Sequence, residues 1–144
     1  MTTERATYLL DVGVLVALTN AHHVHHGRVR RWFADVDHWA TTPVTESAFV
    51  RLMLNPVVAG APRSAPEVLD VLRAMQTRRG HVLVTDDSRL TEADIDLSGL
   101  MGHRQVTDLH LVNLAARHGL VLATLDTRIS AALISTDRAF VTLI

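Results

Sequence analysis

The chain has 144 residues, a formal net charge of −1, 48% hydrophobic residues and 20% charged residues. That balance fits one globular domain over 1–144, long enough to bury a core without covalent staples and too apolar to be disordered. All 14 basic residues are arginine and there is no cysteine, which excludes a disulfide framework, a cysteine zinc site, a thiol nucleophile, a P-loop NTPase and Schiff-base chemistry.

Tyr8-Leu9-Leu10 reads as a first buried strand, followed by helical patterns over Val14–Asn20 and His25–Asp35. Trp39-Ala40-Thr41 is a second, weaker strand, and a helix over Thr45–Leu54 follows it, with Phe49, Leu52 and Met53 on one side. Pro56 to Pro66 holds three prolines and a glycine and is expected to be a loop. Ala65–Arg79 places Val68, Leu69, Leu72 and Met75 at helical spacing. His81–Val84 is a third strand. Thr107–His118 is a helix with Thr107 as N-cap and Gly119 as its stop. Leu120–Thr124, a short helix over Thr127–Ile134, and a strand over Phe140–Leu143 complete the chain. The strands are short and rich in Val and Leu without alternation, as strands covered on both faces are. Strands alternating with helices predict an α/β fold, a central parallel sheet of about five strands with helices on both faces. The N-terminus has no secretory pattern and no uncharged run reaches the ~18 residues of a membrane span, so a soluble, cytoplasmic protein with no membrane partner is expected.

Four acids fall at similar places. Asp11 follows the first strand, Glu46 begins the helix after the second, Asp108 lies in the first turn of a helix, and Asp126 follows the fourth strand. In an open α/β sheet such positions gather outside the carboxyl ends of the strands, where ligands bind. Converging carboxylates repel one another unless a hard cation neutralises them, and Mg²⁺ and Mn²⁺ prefer all-oxygen sets and drive phosphoryl chemistry. An acid at a helix N-terminus is also a common cap, a reading that stands beside the metal for Glu46 and Asp108. Asp11 fits it less well, because it interrupts a strongly apolar run.

The segments Leu9–Leu18, Thr42-Pro43-Val44-Thr45-Glu46, Gln105–Ala115 and Gly119–Asp126 resemble the PIN-domain ribonucleases, and among them the VapC-type toxins of toxin–antitoxin pairs. The resemblance implies a PIN-like sheet and a Mg²⁺- or Mn²⁺-dependent endoribonuclease. It implies that Asp11, Glu46, Asp108 and Asp126 are the metal-site and catalytic acids, with the Thr124 hydroxyl supporting them. It further implies a homodimer, a cognate VapB-type antitoxin, and a tRNA, rRNA or mRNA substrate cut to a 5′-phosphate and a 3′-hydroxyl. Many members carry Asn or Ser two residues after the first aspartate, where this chain has Gly13.

Arg28 and Arg31 are candidate RNA contacts, since arginine pairs well with phosphate, although a solvated helix face explains them as well. His22, His23, His25 and His26 read as a solvated loop and helix start near the RNA path, with a zinc or nickel site as the alternative. Trp32 and Trp39 read as core or dimer-contact residues. Asp86, Asp87, Asp94 and Asp96 read as a surface loop and cap. Two other functions share the architecture. A receiver-like regulatory domain also gathers acids and Mg²⁺ at a sheet edge, but it needs a lysine that this chain lacks. A PIN-like scaffold would bind RNA or protein without cutting.

Overall fold

Alternation along each strand sends neighbouring side chains to opposite faces of a sheet. Tyr8 and Leu10 therefore join one apolar layer while Leu9 joins the other, and Trp39 and Ala123 separate in the same way from Ala40 and Leu122. In the computed structural model, which describes residues 5–144, five strands build this sheet: β1 (Thr7–Leu10), β2 (His38–Thr41), β3 (His81–Leu83), β4 (Val121–Thr124) and β5 (Val141–Leu143). Their order is β3-β2-β1-β4-β5 and every neighbouring pair is parallel. The α/β class and the five-stranded parallel sheet are those expected from the sequence.

One face is covered by α1 (Val12–Thr19), α2 (His26–Phe33), α3 (Pro43–Met53), α4 (Pro56–Ala59) and α5 (Ala65–Gln76). The helix α1 is apolar all round and buries Val14 to Ala17, which suits a helix enclosed on most sides. Trp39 is fully buried against this layer, packs edge-on to Phe33 and donates its indole N–H to the Arg79 carbonyl (3.2 Å). Trp32 is partly buried and packs edge-on to Tyr8. The other face is covered by α6 (Val106–His118), α7 (Thr127–Ala131) and the irregular segment 84–100, which contributes Val84 and Ile95. Leu9, Leu109, Leu111 and Leu114 are at most 1% exposed, each burial contributing about 1.5–3 kcal/mol.

Element ends depart from the sequence pattern at several points, among them α3, which starts at Pro43 rather than Thr45, and α5, which ends at Gln76 rather than Arg79; two further departures have clear local causes. Pro56 starts a one-turn helix where a loop was expected, because the Asn55 side chain accepts the Val57 N–H (3.0 Å) and proline suits the first helical position. Thr107 lies inside α6 rather than capping it, because a 3₁₀ turn over His103–Gln105 already winds the chain and Gln105 occupies the cap. Gly119 ends α6 in the left-handed region, as predicted. Gly80 also has positive φ, and a Cβ there would sit 1.9 Å from the Asp37 carbonyl oxygen, so only glycine lets β3 start beside β2. The segment bearing Asp86, Asp87, Asp94 and Asp96 is a surface loop as expected, tied down by His110 on Asp86 (2.8 Å) and His118 on Asp87 (2.6 Å), but the neighbouring helices are capped by Arg89, Gly102 and Gln105 rather than by any of these acids. Among the described residues, no helix is long and apolar enough to cross a membrane.

Candidate active site

The chain leaves β1 toward β2 on one side and reaches β4 on the other, so the crevice at the ends of β1 and β4 is a topological switch point. Asp11 stands there. Its N–H extends the β1–β4 pairing to the Ala123 carbonyl (3.0 Å), and its Oδ1 accepts the Val12 N–H (2.8 Å), capping α1. Its Oδ2 accepts the Thr124 hydroxyl (2.8 Å), and the same hydroxyl oxygen accepts the Asp126 N–H (3.1 Å). Thr124 is fully buried, so one hydroxyl fixes both aspartates from beneath. Asp126 caps α7, with Oδ1 accepting the Arg128 N–H (2.9 Å). Asp108 reaches the same place from the first turn of α6.

The three carboxylates feel one another. Burial pushes the Asp11 carboxyl above the usual range, and the Thr124 and Val12 hydrogen bonds only partly offset it. Asp108 is pushed up to about 6, first by burial and then by the charges of Asp11 and Asp126. Asp126 goes the other way, because hydrogen bonds from Arg128 hold it below the usual carboxylate range. The guanidinium grips it twice, Nε to Oδ1 (3.0 Å) and Nη2 to Oδ2 (2.8 Å).

Asp11, Asp108, Asp126 and Thr124 line an open cleft of ≈ 510 Å³, together with Gly13, His23 and His25. The histidine stretch thus reaches the site in part. His26 turns away, its Nδ1 2.8 Å from the Ala17 carbonyl, and His22 is exposed. A Cβ on Gly13 would meet nothing within 4 Å, so the cleft has open room at this position. Asp108 also forms a wall of a neighbouring cavity of ≈ 420 Å³, lined further by Arg104, Gln105, Arg128 and Ile129.

Glu46 is held by partners other than Thr124. It lines neither cavity, its Oε1 accepts the Thr41 hydroxyl (2.8 Å), and its Oε2 accepts the Gln76 amide (2.9 Å). Thr41 in turn meets His81 Nε2 at 2.7 Å, so Glu46 belongs to a polar cluster over β2 and β3. Arg28 and Arg31 are exposed on α2 and line neither cavity. The arginines at the acids are Arg128 and Arg104. The spacing Asp126-Thr127-Arg128 at a helix start was the available signal for the first, whereas nothing local marks the second. Asn113 carries no sequence signal of its role: fully buried in α6, it accepts the Asp94 N–H (2.7 Å) and holds the loop over the second face.

The donor set suits a divalent ion. It is all oxygen and carries up to three charges, and Asp108 forms no salt bridge among the described residues, feeling the Arg128 charge only from a distance. As the side chains stand, no three acids or imidazoles among the described residues converge within reach of one ion, and both Asp126 oxygens are turned to Arg128.

The PIN domain family model matches residues 8–134. Ribonuclease VapC38 of Mycobacterium tuberculosis is 43% identical over 120 residues, covering 82% of this chain and 84% of that protein. Ribonuclease VapC39 of the same organism is 42% identical over 123 residues, covering 83% and 88%. The crystal structure of M. tuberculosis VapC20, described as a Sarcin-Ricin loop cleaving toxin, superimposes with a TM-score of 0.62 at 15% identity, over 88% of this chain and 96% of that one. With this sheet order, these acids at the switch point and a family match over nearly its whole length, the chain belongs to the PIN domain family.

Proposed function

We propose that this chain is a divalent-metal-dependent endoribonuclease and the toxin of a toxin–antitoxin pair. The observation that carries the reading is the pair Asp11 and Asp126 on the buried Thr124 hydroxyl with Asp108 in the same cleft, raised to about 6 first by burial and then by its two neighbours. Such a site stores repulsion that a hard cation relieves. The relatives named as VapC ribonucleases support RNA as the substrate class. The receiver-like alternative ends with the family match.

Asp11, Asp108 and Asp126 would hold Mg²⁺ or Mn²⁺. When bound, the ion supplies Lewis-acid activation of water and of the phosphoryl oxygens. Thr124 holds the Asp11 carboxylate in one orientation and fixes the backbone of Asp126, so the two acids need little reorganisation. Gly13 leaves the cleft wall low on the α1 side, giving the substrate backbone access. Glu46, grouped with the metal acids by family pattern, is assigned a positioning role here, holding α3 to α5 and β2 beside the site. A VapB-type antitoxin, a homodimeric state and a cytoplasmic location belong to the same proposal.

The test is cleavage of a defined tRNA and rRNA pool by purified protein with Mg²⁺ or Mn²⁺, alongside Asp11→Asn and a chelator. Discrete fragments from the wild type alone establish the ribonuclease. Equal cutting by Asp11→Asn would assign the activity elsewhere, and RNA binding without cutting would support the scaffold reading.

A further inference from the structure

Arg128 occupies an unusual position, because it neutralises an acid that the proposed function assigns to a metal ion. Its guanidinium takes both oxygens of Asp126, yet the arginine side chain is 82% exposed while the aspartate is 26% exposed. The carboxylate is thus anchored and the cation lies on the outside. An exposed pair of this kind contributes little to stability, so little opposes its exchange. The Arg128 backbone N–H bonds Asp126 Oδ1 independently of the side chain, so α7 keeps its cap when the guanidinium leaves. A doubly charged ion facing Asp11, Asp108 and Asp126 competes for those oxygens with twice the charge of the arginine.

The released side chain has somewhere to go. Arg128 already lines the ≈ 420 Å³ cavity on the far side of Asp108, and Arg104 faces the same cavity from the turn before α6. Arg104 has no carboxylate partner among the described residues. Two guanidiniums in one cavity match the fork geometry of a phosphate group. With a net charge of −1, the chain must draw a polyanion by such local groups.

We propose that Arg128 is an exchangeable counter-cation: it holds Asp126 in the metal-free protein, and a divalent ion releases it to join Arg104 in binding an RNA phosphate adjoining the one that is cut. The phosphate half rests on the ribonuclease reading, and the exchange half does not. The exchange couples substrate grip to ion loading, so that the protein without its ion holds RNA weakly.

The experiment uses the full chain as wild type, Arg128→Gln and Arg104→Gln, all exposed changes that leave the core untouched. Mn²⁺ binding is measured by calorimetry without RNA. Binding of a fluorescent oligoribonucleotide is measured with and without Ca²⁺ across a salt series, with strand integrity checked on gels. Arg128→Gln should bind Mn²⁺ several-fold tighter, Arg104→Gln should bind it as the wild type does, and both should weaken RNA binding about tenfold in the presence of the ion. Each should also lower the salt slope by about 0.7, the loss of one single-strand phosphate contact. Tightening of RNA binding by the ion should vanish in Arg128→Gln. Unchanged or weaker Mn²⁺ binding by Arg128→Gln would overturn the exchange, and a wild-type salt slope in both variants would overturn the phosphate site. A wild type that cuts RNA while the variants give these null results fails the proposal alone. A wild type that neither binds nor cuts RNA fails the ribonuclease reading and the phosphate site, while the Mn²⁺ titration still decides the exchange.

Discussion

Replacing Asp108 by Asn should make the metal-free protein more stable, although it removes a residue of the site. In the wild type the carboxyl sits half-buried beside Asp11 and Asp126, which raises it from 3.8 to about 6. That difference corresponds to about 3 kcal/mol at neutral pH, and water reaching the half-buried group screens it to about 1–2 kcal/mol. The sign follows from linkage. A carboxyl raised in the fold favours folding when protonated, so its contribution is fully present below 3.8 and is lost as pH rises through about 6. Asn carries no charge and escapes that loss. In chelator at pH 8, Asp108→Asn should therefore gain about 1–2 kcal/mol by urea denaturation, or about 3–7 °C in Tm for a chain of this length. At pH 4 the gain should shrink to about a fifth. Adding Mn²⁺ should reverse the order at pH 8, because the wild type alone keeps all three acids. A variant no more stable than the wild type at pH 8 in chelator would refute the reasoning, since neither burial nor repulsion would then burden the Asp108 carboxylate.

Thr124→Val keeps the volume but removes the donor to Asp11 and the acceptor of the Asp126 N–H, and should cost about 1–3 kcal/mol in denaturation while moving the acid limb of the cleavage–pH profile upward. Glu46→Gln should lower cleavage less than about tenfold and leave Mn²⁺ affinity within about twofold, against a loss above about a thousandfold for Asp11→Asn; parity of the two variants in calorimetry and cleavage would return Glu46 to the ion. Asn113→Ala strands the Asp94 N–H and opens a gap in the second apolar layer, which should cost about 2–3 kcal/mol by denaturation and speed hydrogen exchange over 85–97.

Fold class was legible because each strand carries its own signal. Leu9, Leu10, Trp39 and Leu122 are apolar on both sides of the chain, and only a sheet covered twice uses them all. Helix limits were legible wherever a local stop exists, as at Gly119, and less so where two devices compete, as at Gln105 and Thr107. Asn55 and Pro56 carried a helix start that three prolines and a glycine nearby disguised as loop.

Sequence by itself determined that acids would stand at the carboxyl ends of parallel strands, because strand ends, helix starts and their residue types are local properties. It could not decide which acids share a cleft. That depends on sheet order and on side-chain partners: β4 lies beside β1, so Asp11 meets Thr124 and Asp126, while β2 flanks β1 on the other side and there the Glu46 carboxylate is taken by Thr41 and Gln76. The tertiary structure likewise decided that Arg128 and Arg104, and not Arg28 and Arg31, stand at the acids. Electrostatic energy falls with distance through space and takes no account of separation along the chain, so the charges that govern this site became visible only after the sheet had closed around it.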